Sequence, residues 1–408
     1  AQSEAGPAPP ASGPRDVPRR LGRLGGLDRE RVMQQKTGEA AKVHVWHDVA
    51  VSCKGQVFHK GKPMVACALR APCGIHWDGC GFTDGTCVWD SGVSHVSKTP
   101  YCVKGGPCLP HAAGPNEKSS QVCKEHTHLC LEDDPGLAAG PVGVVVVLTQ
   151  PQWGAYYHFV IDALTRVWWV YQQYPSVMKD PQTLFHTGMV SEVGQAWARY
   201  VGIDTAIGPN NRLLDGWWWA KTVYFPPSND CANDRKGAQP GAVLGTQRLV
   251  AEHIGVSQER RPTLLVIRRD ERKHHSRAIL NHDEMMKDVM LHLPDGWSAE
   301  VFSDYPQVPH VEATCQMFAR ATVIMGPHGA GMANLLCAKP GTPLIEFQQE
   351  PHAWDYELLA MKFGMPYIPV KTKMSHVESG TVNIPKVVSA VREGVQLALA
   401  AAGAAGAA

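Results

Sequence analysis

The 408-residue sequence has almost no surplus of charge, because 39 lysine and arginine residues balance 38 aspartate and glutamate residues. Proteins that bind the backbone of nucleic acids usually carry a basic excess, so this balance argues against nucleic acid as the main partner. The longest apolar runs, 136–148 and the Ala-rich C-terminal tail, are too short to span a bilayer. With 44% hydrophobic and 19% charged residues, the composition predicts a globular protein of two or three domains.

The sequence also lacks any Cys-x-x-Cys pair, the spacing with which structural zinc sites usually place two thiolates on one metal. Nine of its 12 cysteines fall between Cys53 and Cys130. We therefore expect disulfide bonds and an oxidising compartment, with a metal site that uses the nearby histidines as the alternative. Because nine is odd, full oxidation requires at least one of these cysteines to pair outside the cluster, with Cys231, Cys315 or Cys337 as the available partners.

No initiator Met and no signal-like segment stand at the start of the sequence, and it has no Asn-x-Ser/Thr sequon. We expect that a secretory signal or an N-terminal membrane anchor has been removed or lies upstream. Residues 1–42, rich in Ala, Pro, Gly and Arg, are predicted to form a disordered stem or linker. Residues 398–408 are predicted to be an Ala/Gly tail in which a frayed helix end passes into disorder.

Between these ends, the sequence predicts two domains, 43–240 and 241–397, and the first includes the cysteine-rich region 53–130. The Val-rich run 142–149 is typical of a strand buried on both faces in a parallel sheet. Strands and helices then alternate from residue 263 to residue 370, which predicts a doubly wound parallel sheet. The predicted fold is therefore α/β, with two Rossmann-like domains that face a cleft lined by the carboxyl ends of the strands.

A glycine-rich turn directly follows a predicted strand and opens a predicted helix. Its small residues allow close approach of a ligand, and the N–H groups at the start of a helix attract anions such as a diphosphate. The alternative is a tight turn with a capping histidine. The turn is neither Gly-x-Gly-x-x-Gly nor a P-loop, so neither hydride transfer nor ATP hydrolysis is indicated. Its sequence is Gly326-Pro327-His328-Gly329-Ala330-Gly331-Met332-Ala333-Asn334.

A basic segment, 268–277, follows the first strand of the second half and is expected at the same sheet edge. We interpret Arg268 and Arg277 as bidentate ligands of a diphosphate, in place of the metal that other nucleotide enzymes use. For Arg269, Arg272 and Lys273 we favour a solvated run of charge.

The predicted helix 156–174 is apolar around most of its circumference, yet His158, Asp162 and Arg166 form one polar seam at spacings of four residues. A His–Asp pair that faces a cleft suits general base catalysis on an acceptor hydroxyl. The alternative is a structural Asp162–Arg166 ion pair with His158 in the core. A further carboxylate, Glu346, ends a predicted strand, where it either accepts hydrogen bonds from a ribose or is structural.

These segments together resemble glycosyltransferase family 61, which includes plant β-1,2-xylosyltransferases, plant cell-wall xylosyl- and arabinosyltransferases, and animal lumenal O-GlcNAc transferases. The resemblance covers residues ~140 to 375, and the cysteine-rich part, 43–136, has no counterpart in the family. The matching pieces are Tyr157-His158-Phe159 with Asp162 and Arg166, Arg268-Arg269 with Arg277-Ala278-Ile279-Leu280-Asn281, the turn Gly326 to Asn334, Pro340-Gly341 with Glu346, and Trp354-Asp355-Tyr356 with Gly364 and Tyr367.

The resemblance implies a GT-B-type fold, a UDP-sugar donor, inversion at the anomeric carbon, and no required metal or other cofactor. We expect transfer of xylose to a glycan or glycoprotein in the Golgi or endoplasmic reticulum lumen, by a type II membrane protein whose anchor is missing, or less readily by a secreted protein. The alternatives are transfer of N-acetylglucosamine or arabinose, hydrolysis of a nucleotide sugar, and a catalytically inactive secreted carbohydrate-binding protein.

The resemblance also implies roles for the two domains: 43–240 would bind the acceptor and 241–397 the nucleotide sugar. Asp162 is the first candidate for the catalytic base, with His158 as its partner. The residues expected to bind the donor are Arg268, Arg277, His328, Gly329, Ala330, Gly331, Asn334 and, for the nucleoside, Glu346.

Two cysteines flank the glycine turn, Cys315 on the helix before it and Cys337 at the end of the helix after it. If they pair, they brace the donor site and leave Cys231 as the tenth partner for the nine clustered cysteines.

Overall fold

Two β-sheets form the framework of the protein, and Val- and Ile-rich strands lie at the centre of each. The computed structural model describes residues 42–51, 57–59, 62–63, 80–83, 86–89, 139–149, 156–203, 212–214, 218–227, 240–255, 261–272, 277–303, 309–375 and 378–406. The expected stem, Cys231 and most of the cysteine-rich region lie outside these residues. The described residues belong to one compact unit, Ala40–Ala408.

The first sheet has seven strands in the order β3-β2-β1-β9-β6-β7-β8. Strand β6 lies between β9 and β7, and its residues Val145, Val146 and Val147 are fully buried. Strands β4 and β5 form a separate hairpin. The strands are β1 His44–Val51, β2 Val57–His59, β3 Lys62–Pro63, β4 Cys80–Thr83, β5 Thr86–Trp89, β6 Ala139–Val147, β7 Thr183–His186, β8 Leu213–Leu214 and β9 Trp218–Phe225.

This sheet is mixed, which corrects the prediction of a doubly wound parallel sheet in the first half. Strands β6 to β9 pair parallel with one another, as predicted. Strand β1, however, pairs antiparallel with β9 from His44–Phe225 to Val51–Trp218, and β2 and β3 continue the antiparallel edge. Because antiparallel neighbours need no crossover helix, the strands before β6 extend the sheet without the helices that reveal a doubly wound fold in a sequence.

The second sheet has five strands, all parallel, in the order β11-β10-β12-β13-β14. Counted along the chain this order is 2-1-3-4-5, a doubly wound arrangement, as the strand–helix alternation predicted. The strands are β10 Thr263–Arg268, β11 Ser298–Ser303, β12 Val323–Pro327, β13 Leu344–Gln348 and β14 Tyr367–Lys371.

Four of the α-helices, α3, α5, α6 and α7, lie within a residue or two of their predicted positions. The predicted helix 156–174 is instead a π-helical and a 3₁₀ segment followed by α1, and α2 has no counterpart in the prediction. Helix α4 also has no counterpart in the prediction, and α8 continues through the Ala-rich tail to Gly406, because Ala has the highest helix propensity. The helices are α1 Val167–Gln173, α2 Pro175–Lys179, α3 Glu192–Tyr200, α4 Pro240–Ile254, α5 His282–His292, α6 Val311–Arg320, α7 Asp355–Lys362 and α8 Ile384–Gly406. None of the helices that the structure describes is long and apolar enough to cross a membrane.

Helix α4 packs between the helices of both sheets. Gly245 allows this contact, because a Cβ there would lie only 2.0 Å from the ring of Trp168 on α1. One continuous apolar core contains Val250 of α4 together with Trp197 of α3 and Phe318 of α6. The helix begins at the predicted boundary between the domains, and the division at residue 240 stays a prediction.

The predicted pairing of Cys315 with Cys337 is confirmed, because the two cysteines form a disulfide bond. It joins α6 to a 3₁₀ helix, Ala330–Cys337, that follows β12 and replaces the expected α-helix after the glycine turn. Both cysteines are buried. The bond therefore ties the far end of the glycine-turn segment to the helix that precedes it.

Candidate active site

The carboxyl ends of β10 and β12 lie side by side, with Val266 paired to Met325. In this strand order the chain leaves β10 toward β11 on one side and later returns to β12 on the other. The crossovers therefore diverge here and leave a crevice above the strand ends, which is where doubly wound sheets bind ligands. The basic segment begins at the end of β10, and the glycine turn begins at the end of β12.

Three glycines of the turn make room for three different neighbours. A Cβ on Gly326 would lie 2.6 Å from the Cβ of Ile267, and one on Gly331 would lie 3.3 Å from the ring of Phe302. A Cβ on Gly329 would lie 2.0 Å from the Nη1 atom of Arg269. Two glycines thus allow the turn to pack on its own sheet, and Gly329 admits a guanidinium group.

The structure brings Arg269, rather than Arg268, to the turn. Arg268 is exposed, and its Nη1 lies 3.8 Å from Asp283 Oδ1 on α5. Side chains of an extended chain point alternately to the two faces of a sheet, so Arg269 lies on the same face as the buried Ile267. Arg272 lies on the surface, where it pairs with Asp270 at 2.8 Å and lowers the pKa of that carboxyl to about 2, as expected of a solvated charge. Lys273 lies outside the described residues.

Arg277 lies beside Arg269 and is partly buried. Burial, and next the positive charge of Arg269, lower the pKa of Arg277 to about 10, so the guanidinium stays charged at neutral pH. Among the residues that the structure describes, its Nε atom has no hydrogen-bond partner. Its φ of 50° is in the left-handed region, an unfavourable conformation for a residue with a Cβ. Two adjacent, partly desolvated guanidinium groups suit a bound dianion.

His328 and Glu346 form a buried pair beneath the turn. The Nδ1 atom of His328 lies 2.7 Å from Glu346 Oε1, and Tyr367 donates a hydrogen bond to Oε2. Glu346 is fully buried, so both of its oxygens serve these side chains and no part of it reaches solvent. The sequence-based expectation was that Glu346 binds a nucleoside; the structure instead gives it the position of a residue that orients His328.

Tyr356, at the start of α7, joins the turn to the first half of the chain. Its hydroxyl donates a hydrogen bond of 2.6 Å to the carbonyl oxygen of Gly329. Its ring contacts His328 edge-on at 4.7 Å between centroids and Tyr157 at 5.6 Å. Burial raises the pKa of Tyr356 well above 10, so the hydroxyl remains a donor.

His158 and Asp162 lie on a π-helical segment, His158–Ala163, that follows β6 and precedes α1. The Nδ1 atom of His158 lies 2.7 Å from Asp162 Oδ2. The side chain of His158 is 31% exposed, whereas that of Asp162 is only 4% exposed. π-Helical turns are rare in proteins, and those that occur often lie at functional sites, so this segment is a candidate catalytic element. Through the contact of Tyr157 with Tyr356, it adjoins the glycine turn.

Two other candidate residues have structural positions. Asn334 is 1% exposed; it accepts a hydrogen bond from Tyr156 and donates one to Gly331 O. Arg166, the third residue of the polar seam after His158 and Asp162, is fully buried. Its guanidinium donates to the backbone carbonyls of Leu148, Thr149, Pro226 and Pro227, so it links the ends of β6 and β9. Ala330 begins the 3₁₀ helix.

The comparison with protein families gives one match for this region: residues 156–345 match the family described as glycosyltransferase 61. The predicted resemblance to glycosyltransferase family 61 is therefore confirmed over residues 156–345. The matched segment begins at Tyr156, beside the His158–Asp162 pair, and it includes both the basic segment and the glycine turn. This match supports glycosyltransferase activity. No curated protein matches the chain.

Sequence reasoning did not assign a role in this site to three residues: Arg269, Tyr356 and Tyr367. The alternating direction of side chains along a strand was a usable signal for Arg269, because it places Arg269 on the same face as Ile267. Tyr356 and Tyr367 belong to motifs that support the resemblance, but their hydroxyl contacts depend on how α7 and β14 pack. No sequence spacing reveals such contacts.

Proposed function

We propose that the protein transfers a sugar from a UDP-sugar to a hydroxyl group of a glycan or glycoprotein by a single inverting displacement. The observation that carries the proposal is the pair of partly buried guanidinium groups, Arg269 and Arg277, beside the glycine turn. This cationic site adjoins a His–Asp pair from the other half of the chain. The cationic site stabilises a leaving diphosphate, and the His–Asp pair accepts the proton of an attacking hydroxyl.

In this proposal, Arg269 and Arg277 bind the diphosphate and neutralise the charge that develops as it leaves. Planar guanidinium groups contact two phosphate oxygens at once, which makes a metal ion unnecessary. His328 donates a further hydrogen bond to the diphosphate, and Gly329, Ala330 and Gly331 keep the turn free of large side chains.

The acceptor hydroxyl loses its proton to the His158–Asp162 pair. The sequence-based expectation ranked Asp162 first, but the exposure of the two side chains favours His158 as the group that touches the acceptor. Asp162, which is nearly buried, holds Nδ1 of His158 and stabilises the imidazolium that forms. The proton therefore moves from the acceptor oxygen to Nε2 of His158 as the new glycosidic bond forms and the bond to the diphosphate breaks.

We further propose a GT-B arrangement, in which the half that carries the mixed sheet binds the acceptor and the half that carries the parallel sheet binds the donor. UDP-xylose is the first donor to test. The buried Cys315–Cys337 disulfide supports an oxidising compartment, and the Golgi or endoplasmic reticulum lumen is the compartment that we propose.

A panel of UDP-xylose, UDP-N-acetylglucosamine, UDP-arabinose and UDP-galactose, screened by thermal shift, tests the donor. The donor that raises the midpoint most is then mixed with candidate glycan acceptors, and UDP release is measured. We expect UDP release that depends on the acceptor.

Two other outcomes would contradict the proposal. UDP release that no acceptor accelerates would indicate a nucleotide-sugar hydrolase. No response to any UDP-sugar would indicate a protein that binds carbohydrate without catalysis.

A further inference from the structure

We propose that Tyr367 is a positioning residue for sugar transfer and acts through Glu346 to orient His328 toward the donor diphosphate. The inference rests on the proposed function and extends it to the strand next to the site. It concerns a residue that donates to Glu346 Oε2, while Glu346 Oε1 lies 2.7 Å from His328 Nδ1.

The three residues come from three neighbouring elements of the parallel sheet. His328 follows β12, Glu346 lies on β13 opposite Gly326, and Tyr367 begins β14. Their side chains form a continuous chain of hydrogen bonds across three neighbouring elements of the sheet. Because strand pairing fixes the spacing of these elements, the chain connects the glycine turn to the edge strand without a flexible link.

The direction of the hydrogen bonds along this chain is determined by the donors. Gln348 donates from Nε2 to the Tyr367 hydroxyl at 2.7 Å, so the hydroxyl hydrogen of Tyr367 points to Glu346. Burial, and next the charge of Glu346, raise the pKa of Tyr367 far above 10, which keeps this donor protonated. Glu346 thus accepts from Tyr367 on one oxygen and engages His328 Nδ1 on the other.

A buried carboxylate that loses a hydrogen-bond donor destabilises the folded protein. It is also no longer held in one orientation. Removal of the Tyr367 hydroxyl leaves Glu346 Oε2 short of a donor in a fully buried position. The carboxylate then reorients or recruits another partner, and His328 loses its fixed orientation. Groups that orient a binding residue from behind typically change affinity by about 10-fold to 100-fold.

The test is a double-mutant cycle on UDP affinity, measured by calorimetry with wild type, Tyr367→Phe, His328→Ala and the double variant. We expect Tyr367→Phe alone to weaken UDP binding about 10-fold. In the His328→Ala background, the same substitution should have almost no further effect, since the residue through which it acts is gone. Tyr200→Phe, which removes a phenol hydroxyl on α3, is the matched control and should leave UDP affinity unchanged.

Wild-type affinity in Tyr367→Phe, or an equal loss in both backgrounds, would overturn the inference, because a merely structural tyrosine gives one of these results. If Tyr367→Phe does not fold, Gln348→Met replaces it, since this variant removes the hydrogen bond that directs the Tyr367 hydroxyl. Failure of the wild type to bind UDP would instead contradict the proposed function. The two failures are therefore distinguishable.

Discussion

The hydroxyl of Tyr156 donates a hydrogen bond of 2.6 Å to Oδ1 of Asn334. Tyr156 precedes the π-helical segment with the His158–Asp162 pair, whereas Asn334 lies on the 3₁₀ helix after the glycine turn. The indole of Trp197 donates to the same hydroxyl at 3.1 Å. This contact joins the proposed base to the proposed diphosphate site, so Asn334 contributes to the site by fixing its geometry.

Replacement of Tyr156 by Phe should lower the free energy of unfolding by about 1–3 kcal/mol, because Asn334 Oδ1 and the Trp197 indole each lose a partner in a buried position. Chemical denaturation measures the loss. Tyr171→Phe, at a residue that is 38% exposed, is the control and should change stability by less than about 0.5 kcal/mol. Equal stability of the two variants would show that the contact is weak.

The same tyrosine predicts a loss of stability at alkaline pH. Burial raises the pKa of Tyr156 above its usual 10.0. Below pH 10 the residue is protonated in both states; above pH 10 the unfolded chain loses the proton and the folded chain keeps it. Stability from this group is thus complete below pH 10 and falls as pH rises through the folded pKa. Above pH 10, the free energy of unfolding should fall more steeply with pH for the wild type than for Tyr156→Phe. Parallel curves of this free energy against pH would contradict the assignment.

The disulfide between Cys315 and Cys337 closes a segment of 22 residues that contains the glycine turn. Replacement of both cysteines by Ala should lower the free energy of unfolding by about 3 kcal/mol, the value expected from the entropy of a loop this long. Denaturation of the double variant measures this loss. Peptide mapping without reduction checks the bond itself, and a free thiol at either position would contradict it.

Asp162→Asn should separate catalysis from donor binding. Asn retains the shape of Asp but cannot stabilise an imidazolium, so sugar transfer should fall by at least about 100-fold. UDP affinity should stay at the wild-type value, because Asp162 lies on the acceptor side of the proposed site. Full transfer activity in this variant would remove the His158–Asp162 pair from the mechanism.

The positive φ of Arg277 allows its backbone and its side chain to be tested separately. Arg277→Gly and Arg277→Ala both remove the guanidinium and should weaken UDP binding equally, by at least about 10-fold. Gly adopts positive φ without strain, so Arg277→Gly should be more stable than Arg277→Ala by about 1 kcal/mol. A retained UDP affinity in either variant would show that the side chain does not bind the diphosphate.

Much of the parallel sheet was predictable from the sequence, because its central strands β10, β12 and β13 are mainly apolar and buried, and helical segments alternate with them. The mixed sheet was not, since β1 has no strict alternation of polar and apolar residues, and β2 and β3 are only three and two residues long. Helix α4 was missed although Pro240 marks its start and apolar residues recur along it.

The candidate site was predictable in its motifs but not in the direction of each side chain. Arg268 and Arg269 are neighbours of the same chemistry that lie on opposite faces, and the choice between them depends on which face of β10 borders the crevice, which the packing of the folded chain determines. Asn334 and Glu346 are polar residues in functional motifs whose partners, Tyr156 and Tyr367, come from distant parts of the chain. Packing between elements determines these contacts, and no local sequence pattern predicts them.

The most direct test of the central claim is calorimetry of UDP binding to the wild type and to Arg268→Ala, Arg269→Ala and Arg277→Ala. We predict that the wild type binds UDP and that Arg268→Ala retains this affinity, because Arg268 is an exposed residue beside Asp283. Arg269→Ala and Arg277→Ala should each weaken binding by at least about 10-fold, as expected for the loss of a hydrogen bond to a charged group. No binding by the wild type, or the same affinity in all three variants, would contradict the account.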